Sequence, residues 1–151
     1  MFWGCFSKHG KGPLITIDGT MDQNLYKNVL QNHLLPEYEA AKELGGVWRL
    51  MQDNAPCHKA KSIMDFLASN QVEMIQWPPY SPDLNPIENV WGWMKRELAD
   101  NYPVCTTREQ LEGYFLEIWD SITPELCKRF CGSYEKRLMA VLDAEDGHTK
   151  Y

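Results

Sequence analysis

The sequence lacks the long apolar run that a membrane-spanning helix requires. No stretch approaches the roughly 18–20 apolar residues needed to cross a bilayer, and the first residues carry no secretory signal pattern. A disulfide framework is absent too, because the cysteines are odd in number, 5 in all, and irregularly spaced. These absences predict a protein without membrane contact, with reduced thiols as in a cytosolic or nuclear setting.

Positive charge is also scarce. The net charge of −6 excludes a domain that grips nucleic acid through an overall basic surface, but not an enzyme that meets DNA locally. With 44% hydrophobic residues in a chain of 151, the sequence can form one domain with a real core. Because there is no repeat, low-complexity tract or linker, we predict one domain over residues 1–142 and a flexible tail over 143–151.

The hydrophobic pattern predicts a β-hairpin at the start of the sequence. Residues 1–7 and 14–17 have the composition of strands, and KHGKGP between them is a turn rich in glycine and proline. We expect Lys8 and Lys11 in that turn to be solvated, although they could also contact phosphate.

Helices and two short strands are predicted over the remainder. The short strands cover 47–51 and 72–75. One helix covers 21–35, with Thr20 or Asp22 as its cap, and Pro36 separates it from a second piece that runs to 44. Further helices cover 59–69, 86–98, a stretch to 119 that Thr106 or Thr107 caps, and 121–142. This order predicts a mixed α/β domain.

Two motifs stand apart from ordinary core and loop sequence: QDNAPCH at 52–58 and WPPYSPDLNPIENVW at 77–91. Asp53 lies at the carboxyl end of a predicted strand, and Glu88 lies in the first turn of the helix after the next strand. Because successive strands are usually neighbours, the two carboxylates could meet at one edge of the sheet. Such a pair suits Mg²⁺ or Mn²⁺, and two such ions can activate water and stabilise the leaving oxygen of a phosphodiester.

Each carboxylate also has a purely structural explanation. The segment from Asn85 to Glu88 has the pattern of a capping box, with asparagine as the N-cap, proline at the first helical position and glutamate at the third. Asp53 could be a turn aspartate that bonds its own backbone. Local rules leave both explanations open.

The residues beside Asp53 have alternatives of their own. Asn54 and His58 could support the site or contact DNA, with His58 orienting a carboxylate, or His58 could make a structural hydrogen bond at a helix start. The adjacent Cys57 raises a third class, a thiol hydrolase, although the members of a Cys–His pair normally converge from separate parts of a chain. Cys127 and Cys131 are either core thiols or half of a metal site.

Aromatic and basic residues supply candidate DNA contacts. Trp77, Tyr80, Trp91 and Trp93 could stack on unpaired bases, whereas Trp91, with Met94, could equally belong to a helix core. The basic pairs Lys95–Arg96, Lys128–Arg129 and Lys136–Arg137 could contact phosphates or could form solvated helix faces.

Several segments together resemble the catalytic domain of Tc/mariner DNA transposases. They are WGCFS, ITIDGTM, QDNAPCH, WPPYSPDLNPIENVWGWMK, SITPELCKR and the final GHTKY. The resemblance implies a ribonuclease-H-like, retroviral integrase-like fold and an acidic triad that binds two Mg²⁺ or Mn²⁺ ions. Its second and third acids correspond to Asp53 and Glu88. The 34 residues between them, 54 to 87, and the glutamate as third acid are typical of the Tc-like branch.

The same resemblance places the family's first acid on a strand upstream of Met1. Asp18 in ITIDGTM is the nearest aspartate but does not correspond to it. We therefore expect this chain to be the C-terminal part of the catalytic domain, without the first, central strand. Two carboxylates alone hold two ions poorly, so strand cleavage by this chain should be weak or absent.

The resemblance implies a nuclear protein that, when intact, cuts transposon ends and joins them to target DNA, working as a homodimer on DNA. The alternative is a catalytically dead or domesticated fragment that serves as a DNA- or protein-binding module. An upstream frame that encodes an aspartate-bearing strand would distinguish the first from the second.

Overall fold

The chain divides into two compact units in a computed structural model, which describes residues 1–43, 45, 48–75 and 85–132. The first unit is Met1 with Ile17–Pro82, and the second is Phe2–Thr16 with Asp83–Tyr151. Within the described ranges, no helix has the length and apolarity needed to cross a bilayer.

The first unit begins with one long helical stretch. Helix α1 (Gln23–Val29) continues through a π-helical turn (Leu30–Leu34) into α2 (Leu35–Glu43). Asp22 caps α1, as predicted, by accepting hydrogen bonds from two backbone N–H groups at 2.8 and 2.9 Å.

The predicted interruption at Pro36 is wrong, because the chain stays helical through it. Proline has no N–H, and its ring clashes with the carbonyl four residues earlier in a regular helix. The wider π-helical turn lies directly before it. Such a turn changes the i→i−4 bonding pattern at the point where proline cannot follow it.

Helix α3 (Lys61–Ser69) packs on α1 to form the core of the first unit. Side chains also connect the two helices at their surfaces: the Lys27 ammonium lies 5.3 Å from the centre of the Phe66 ring, and the Ser62 hydroxyl donates to Gln23 at 3.0 Å. The buried apolar residues of this unit are Ile17, Tyr26, Val29, Leu30, Leu34, Leu35, Ile63, Leu67 and Val72.

The two short strands predicted in this unit are reduced to one parallel bridge. Leu50 pairs with Met74, with backbone hydrogen bonds from Leu50 to Glu73 at 2.7 Å and from Ile75 to Leu50 at 2.9 Å. The two segments are therefore parallel neighbours, as predicted. The chain turns just after this bridge, at Asp53, whose side chain accepts from a backbone N–H. Val47, the predicted first strand residue, lies outside the described residues.

The second unit contains the predicted hairpin. Strands β1 (Phe2–Ser7) and β2 (Gly10–Thr16) pair antiparallel, with an irregularity between Gly4 and Phe6. The predicted six-residue turn is wrong, since Ser7 pairs with Gly10 and only two residues form the turn. Lys11 thus lies on β2, where its ammonium bonds the Trp119 carbonyl at 2.8 Å and the Asp120 carboxylate at 2.7 Å. It is an anchor for the hairpin and not a solvated turn residue.

Helices α4 (Pro86–Asn101) and α5 (Arg108–Asp120), with helical residues 124–132, complete the described part of this unit. The predicted caps Asn85 and Thr107 are confirmed, and Thr107 forms a capping box with Gln110. The remainder of the helix predicted to residue 142 and the tail 143–151 lie outside the described residues. The core of the second unit consists of Val90, Met94, Phe115, Ile118, Trp119, Ile122 and Cys127.

The hairpin and helices pack through aromatic rings. Phe2 stacks on Phe115 with ring centres 4.7 Å apart, and the Trp119 indole N–H donates to the Gly12 carbonyl at 2.9 Å. Gly4 lies against this packing: a Cβ built there would come within 3.0 Å of the Trp119 ring and 3.2 Å of the Trp91 ring. A methyl group at this position would therefore require the indoles to shift by a few tenths of an ångström.

Cys127 and Cys131 belong to the packing of the second unit. Cys127 is fully buried and Cys131 is half-buried. Burial raises the pKa of both thiols. The position of Cys127 in the core of this unit supports the core-thiol interpretation.

Candidate active site

Asp53 is held in a tight turn that directly follows the Leu50 bridge. Its Oδ1 accepts a hydrogen bond from the Ala55 backbone N–H at 3.0 Å and lies 2.7 Å from His58 Nδ1. The side chain is 50% exposed. Both contacts use the same oxygen, so Oδ2 has no hydrogen-bond partner among the residues that the structure describes. The turn holds the Asp53 carboxylate in one orientation through Oδ1, and Oδ2 remains available to a ligand from outside the turn.

His58 orients the carboxylate, as one of the predicted alternatives states. An ionised carboxylate has no proton to give, so the proton of this bond belongs to His58 Nδ1, and Nδ1 is the donor. The backbone of the turn places the ring, because the N–H groups of His58 and Lys59 both bond the Ala55 carbonyl, at 2.9 and 3.1 Å. The structural explanation of Asp53 is also correct, since its Oδ1 bonds the backbone two residues on. Both explanations apply to one oxygen and leave the other available.

Tyr26 supports this turn from α1, and nothing in the sequence pattern indicated it. The residue is 2% exposed, its hydroxyl donates to Gln52 Oε1, and its ring lies 4.2 Å from the His58 ring, centre to centre. Helical spacing places Tyr26 on the apolar face of α1, where it is indistinguishable from an ordinary core residue. Only the tertiary packing brings it to Gln52 and His58.

Glu88 lies in the first turn of α4 and is exposed. The Asn85 side chain accepts from the Ile87 N–H at 3.3 Å, so asparagine caps the helix as predicted. In the other half of a capping box, the Asn85 backbone N–H would donate to the Glu88 side chain, and no such bond forms. Within the described ranges, the Glu88 carboxylate has no hydrogen-bond or salt-bridge partner. Only the asparagine half of the predicted capping box is therefore formed.

Asp53 and Glu88 carry oxygen ligands of the type that Mg²⁺ and Mn²⁺ prefer. Asp53 can offer Oδ2, and Glu88 can offer both carboxylate oxygens. Asp53 belongs to the first unit and Glu88 to the second, and their convergence at one site stays a prediction. In the part of the chain that the structure describes, no group of three or more histidine, cysteine or acidic residues is arranged to hold a metal. Each carboxylate taken by itself has the oxygen donors that fit a ligand of a divalent cation.

The candidate DNA contacts fall into three groups. Lys95 and Arg96 are exposed on α4 and form no ion pair with a described residue, which is consistent with contact to phosphate. Asn54 is half-buried beside Asp53. Trp77 and Tyr80 lie outside the described residues.

Trp91 and Trp93 each pack against another aromatic ring. The Trp91 ring stacks on Trp119 with centres 5.7 Å apart, and the Trp93 ring packs at 6.2 Å from Phe130. Both are partly buried against the core of the second unit. The interpretation of Trp91 and Met94 as core residues is confirmed, and a base-stacking role for Trp93 stays a prediction.

The structure gives no support to a Cys57–His58 pair. His58 turns Nδ1 to Asp53, and the Cys57 thiol forms no hydrogen bond with a described residue. A nucleophilic thiol needs an adjacent base to activate it.

Comparisons with known proteins give the chain's relatives. Residues 2–112 match the family described as DDE superfamily endonuclease. The chain is 37% identical over 153 residues to the transposable element Tcb1 transposase of Caenorhabditis briggsae, and 33% identical over 155 residues to the transposable element Tc1 transposase of Caenorhabditis elegans. Each alignment covers 100% of this chain and 54% of the transposase, so the chain spans about half the length of these relatives.

Several solved structures of the Mos1 transposase are similar in fold to this chain. The Mos1 transposase catalytic domain with Raltegravir and Mg superposes with a TM-score of 0.83 at 21% identity, covering 98% of this chain and 75% of that one. Other similar structures are that catalytic domain with Mn, with a TM-score of 0.78 at 20% identity, and the Mos1 paired-end complex with left transposon end, with a TM-score of 0.77 at 22% identity. They cover 100% and 95% of this chain, and 82% and 42% of theirs. The predicted ribonuclease-H-like α/β fold is confirmed. The chain belongs to the DDE superfamily endonuclease family and is homologous along its whole length to the catalytic part of Tc-type transposases.

Proposed function

We propose that this chain is the part of a Tc-type transposase that supplies two of the acids for metal-dependent DNA cleavage and strand transfer. The observation that carries the proposal is the Asp53 carboxylate, which is oriented through Oδ1 alone and half exposed. A turn aspartate that served only its own backbone would not need a histidine on the same oxygen. The whole-chain similarity to Tc-type transposases supports the assignment.

The proposed cofactor is Mg²⁺ or Mn²⁺, held by Asp53 and Glu88. When bound, such ions activate an attacking water and stabilise the leaving oxygen of a phosphodiester. The similar Mos1 transposase catalytic domain has been solved with Mg and with Mn, which supports the choice of metal.

The chain's own residues contribute orientation. His58 and the Ala55 N–H keep Asp53 Oδ1 engaged, so the carboxylate does not rotate freely and Oδ2 stays available. Glu88 is fixed by the start of α4, which Asn85 caps. In the proposed reaction, water attacks the phosphorus of a phosphodiester at the transposon end, and the P–O3′ bond breaks to leave a 5′-phosphate and a free 3′-hydroxyl. That 3′-hydroxyl then attacks the phosphorus of a target phosphodiester, forming a new P–O bond as the P–O3′ bond of the target breaks and releases a target 3′-hydroxyl.

The proposed partner is DNA, at transposon ends and at the target. A Mos1 complex with a transposon end supports this choice. Among the described residues, Lys95 and Arg96 are the proposed contacts with phosphate. Trp77 and Tyr80 are proposed as DNA contacts from the sequence alone. We also propose that the intact protein works as a homodimer in the nucleus.

A second candidate function is a module that binds DNA or protein without cutting. It is favoured by one observation: within the described part of the chain, no three acidic or histidine ligands come together. Because the net charge of −6 gives no broad grip on nucleic acid, such a module would contact DNA only locally or would bind protein.

The transcript distinguishes the two candidates. Sequencing its 5′ end and the genomic DNA before the Met1 codon establishes the longest encoded product. That product, incubated with labelled transposon-end DNA and Mg²⁺ or Mn²⁺, should nick the DNA, and Asp53→Asn should abolish the nicking. A frame closed upstream of Met1, with binding but no nicking, would establish the non-cutting module instead.

A further inference from the structure

Asp53 depends on two neighbours, and both of them contact the same buried side chain. Gln52 precedes Asp53 in the chain, and His58 bonds its Oδ1. The Tyr26 hydroxyl donates to Gln52 Oε1, and the Tyr26 ring packs on the His58 imidazole at 4.2 Å with the planes 36° apart. One tyrosine therefore contacts the carboxylate's backbone neighbour and its hydrogen-bond partner.

We propose that Tyr26 is a positioning residue for the Asp53 carboxylate. Holding Gln52 restricts the backbone that carries Asp53, and packing on His58 restricts the ring that bonds Oδ1. With both fixed, Oδ2 stays available to a cation. Residues that orient a metal-binding group from behind typically change its affinity or activity by about 10–100-fold when they are lost. The inference rests on the proposed function of Asp53.

The hydroxyl is the informative part of Tyr26. Filling the core between α1 and α3 requires only an aromatic ring, and a buried hydroxyl is costly unless it is bonded. Here the hydroxyl, in a residue 2% exposed, is bonded to the residue beside Asp53. A phenylalanine would keep the packing and lose that bond.

Tyr38 provides a matched control in the same unit. Its hydroxyl donates to the Trp48 carbonyl at 3.1 Å and accepts from the Glu73 N–H at 3.1 Å. It therefore ties α2 to the segments of the Leu50 bridge and bonds neither Gln52 nor His58. Removing the Tyr38 hydroxyl tests the loss of a structural tyrosine bond without touching the turn of Asp53.

The experiment compares Tyr26→Phe with Tyr38→Phe in the full 151-residue chain. Ring ¹⁵N and ¹H signals of His58, recorded by NMR without metal, report its bond to Asp53. Titration with Mn²⁺ reports cation binding. We expect Tyr26→Phe to shift or broaden the His58 signals and to weaken Mn²⁺ binding about tenfold. Tyr38→Phe should change neither, and both should lower the melting temperature slightly.

Gln52→Leu removes Oε1, the acceptor of the hydrogen bond that the Tyr26 hydroxyl donates. It should weaken Mn²⁺ binding and shift the His58 signals as Tyr26→Phe does, and the losses of the two variants should be less than additive, because both remove the same hydrogen bond. This variant keeps the test valid if Tyr26→Phe unfolds.

Three results would overturn the positioning role: unchanged His58 signals in Tyr26→Phe, an equal change in Tyr38→Phe, or shifted signals with Mn²⁺ affinity no weaker than in Tyr38→Phe. Failure of the proposed function has a different signature. In that case the unsubstituted chain binds no Mn²⁺, and Asp53→Asn causes no loss.

Discussion

The Asp53 carboxylate is bonded to two groups of its own unit, whereas the Glu88 carboxylate is bonded to none of the described residues. Asp53 is placed by a side-chain network that reaches back to α1. Glu88 is placed by the backbone of α4 and by the Asn85 cap just before it. One acid therefore depends on contacts distant in sequence and the other on four consecutive residues. Mutations elsewhere in the fold should affect them unequally.

The largest expected effect comes from removing the unbonded acid. Glu88→Gln in the longest encoded product should leave below about 1% of its metal-dependent cleavage, since a direct ligand matters more than the 10–100-fold typical of an outer partner. Glu109→Gln is the matched control, because Glu109 is also an exposed acid in the first turn of a helix, α5. Gel assays of nicked DNA measure both. Undiminished nicking by Glu88→Gln would remove Glu88 from the site.

The bonded acid should respond to loss of its partner. His58→Ala leaves Asp53 Oδ1 with the Ala55 N–H alone, so Mn²⁺ affinity and cleavage should fall by about 10–100-fold. His9→Ala, in the hairpin turn of the other unit, is the control. Equal rates in the two variants would mean that the backbone turn alone orients Asp53.

A packing change in the second unit should lower the free energy of unfolding without disturbing the Asp53 turn. Gly4→Ala forces a methyl group against the Trp119 and Trp91 rings, and such overpacking typically costs about 1–3 kcal/mol. Chemical denaturation should show this loss while the NMR signals of the His58 ring stay in place. A large movement of those signals would show that the two acids do not respond independently.

The smallest expected effect comes from the helix cap. Asn85→Ala should lower the free energy of unfolding by about 1 kcal/mol, the usual loss for a capping asparagine, with Thr107→Ala as the control at the start of α5. Cleavage in the longest encoded product should fall only with Asn85→Ala, because Glu88 lies in the turn that this cap fixes. An equal fall with both substitutions would show that Glu88 does not depend on its cap.

The predictable parts of the fold were those encoded by neighbouring residues. The caps Asp22, Asn85 and Thr107 are all among the candidates that the sequence offers, Asp22 beside Thr20 and Thr107 beside Thr106, because a cap bonds backbone groups two or three residues away. The hairpin was predicted too, but its turn was not, since glycine and proline in KHGKGP suggest a longer loop than the strand pairing allows.

The unpredicted parts depend on contacts across long stretches of chain. Lys11 bonds the end of α5 more than 100 residues later, and Tyr26 meets Gln52 and His58 only after α1 packs on α3. For the candidate site, sequence named Asp53, Glu88 and His58. It could not name Tyr26, because a tyrosine on an apolar helix face indicates burial and nothing about where its hydroxyl lies.

The π-helical turn before Pro36 gives the first long helix two angular phases. A widened turn holds one residue more than an α-turn, and each residue advances a helix by about 100°. Side chains of α2 are therefore rotated relative to the faces that α1 sets. Tyr38 reaches Trp48 and Glu73 in that rotated frame. If the same residues formed regular α-turns instead, Tyr38 would be rotated by about 100° away from both partners, so its two hydrogen bonds depend on the wide turn being kept.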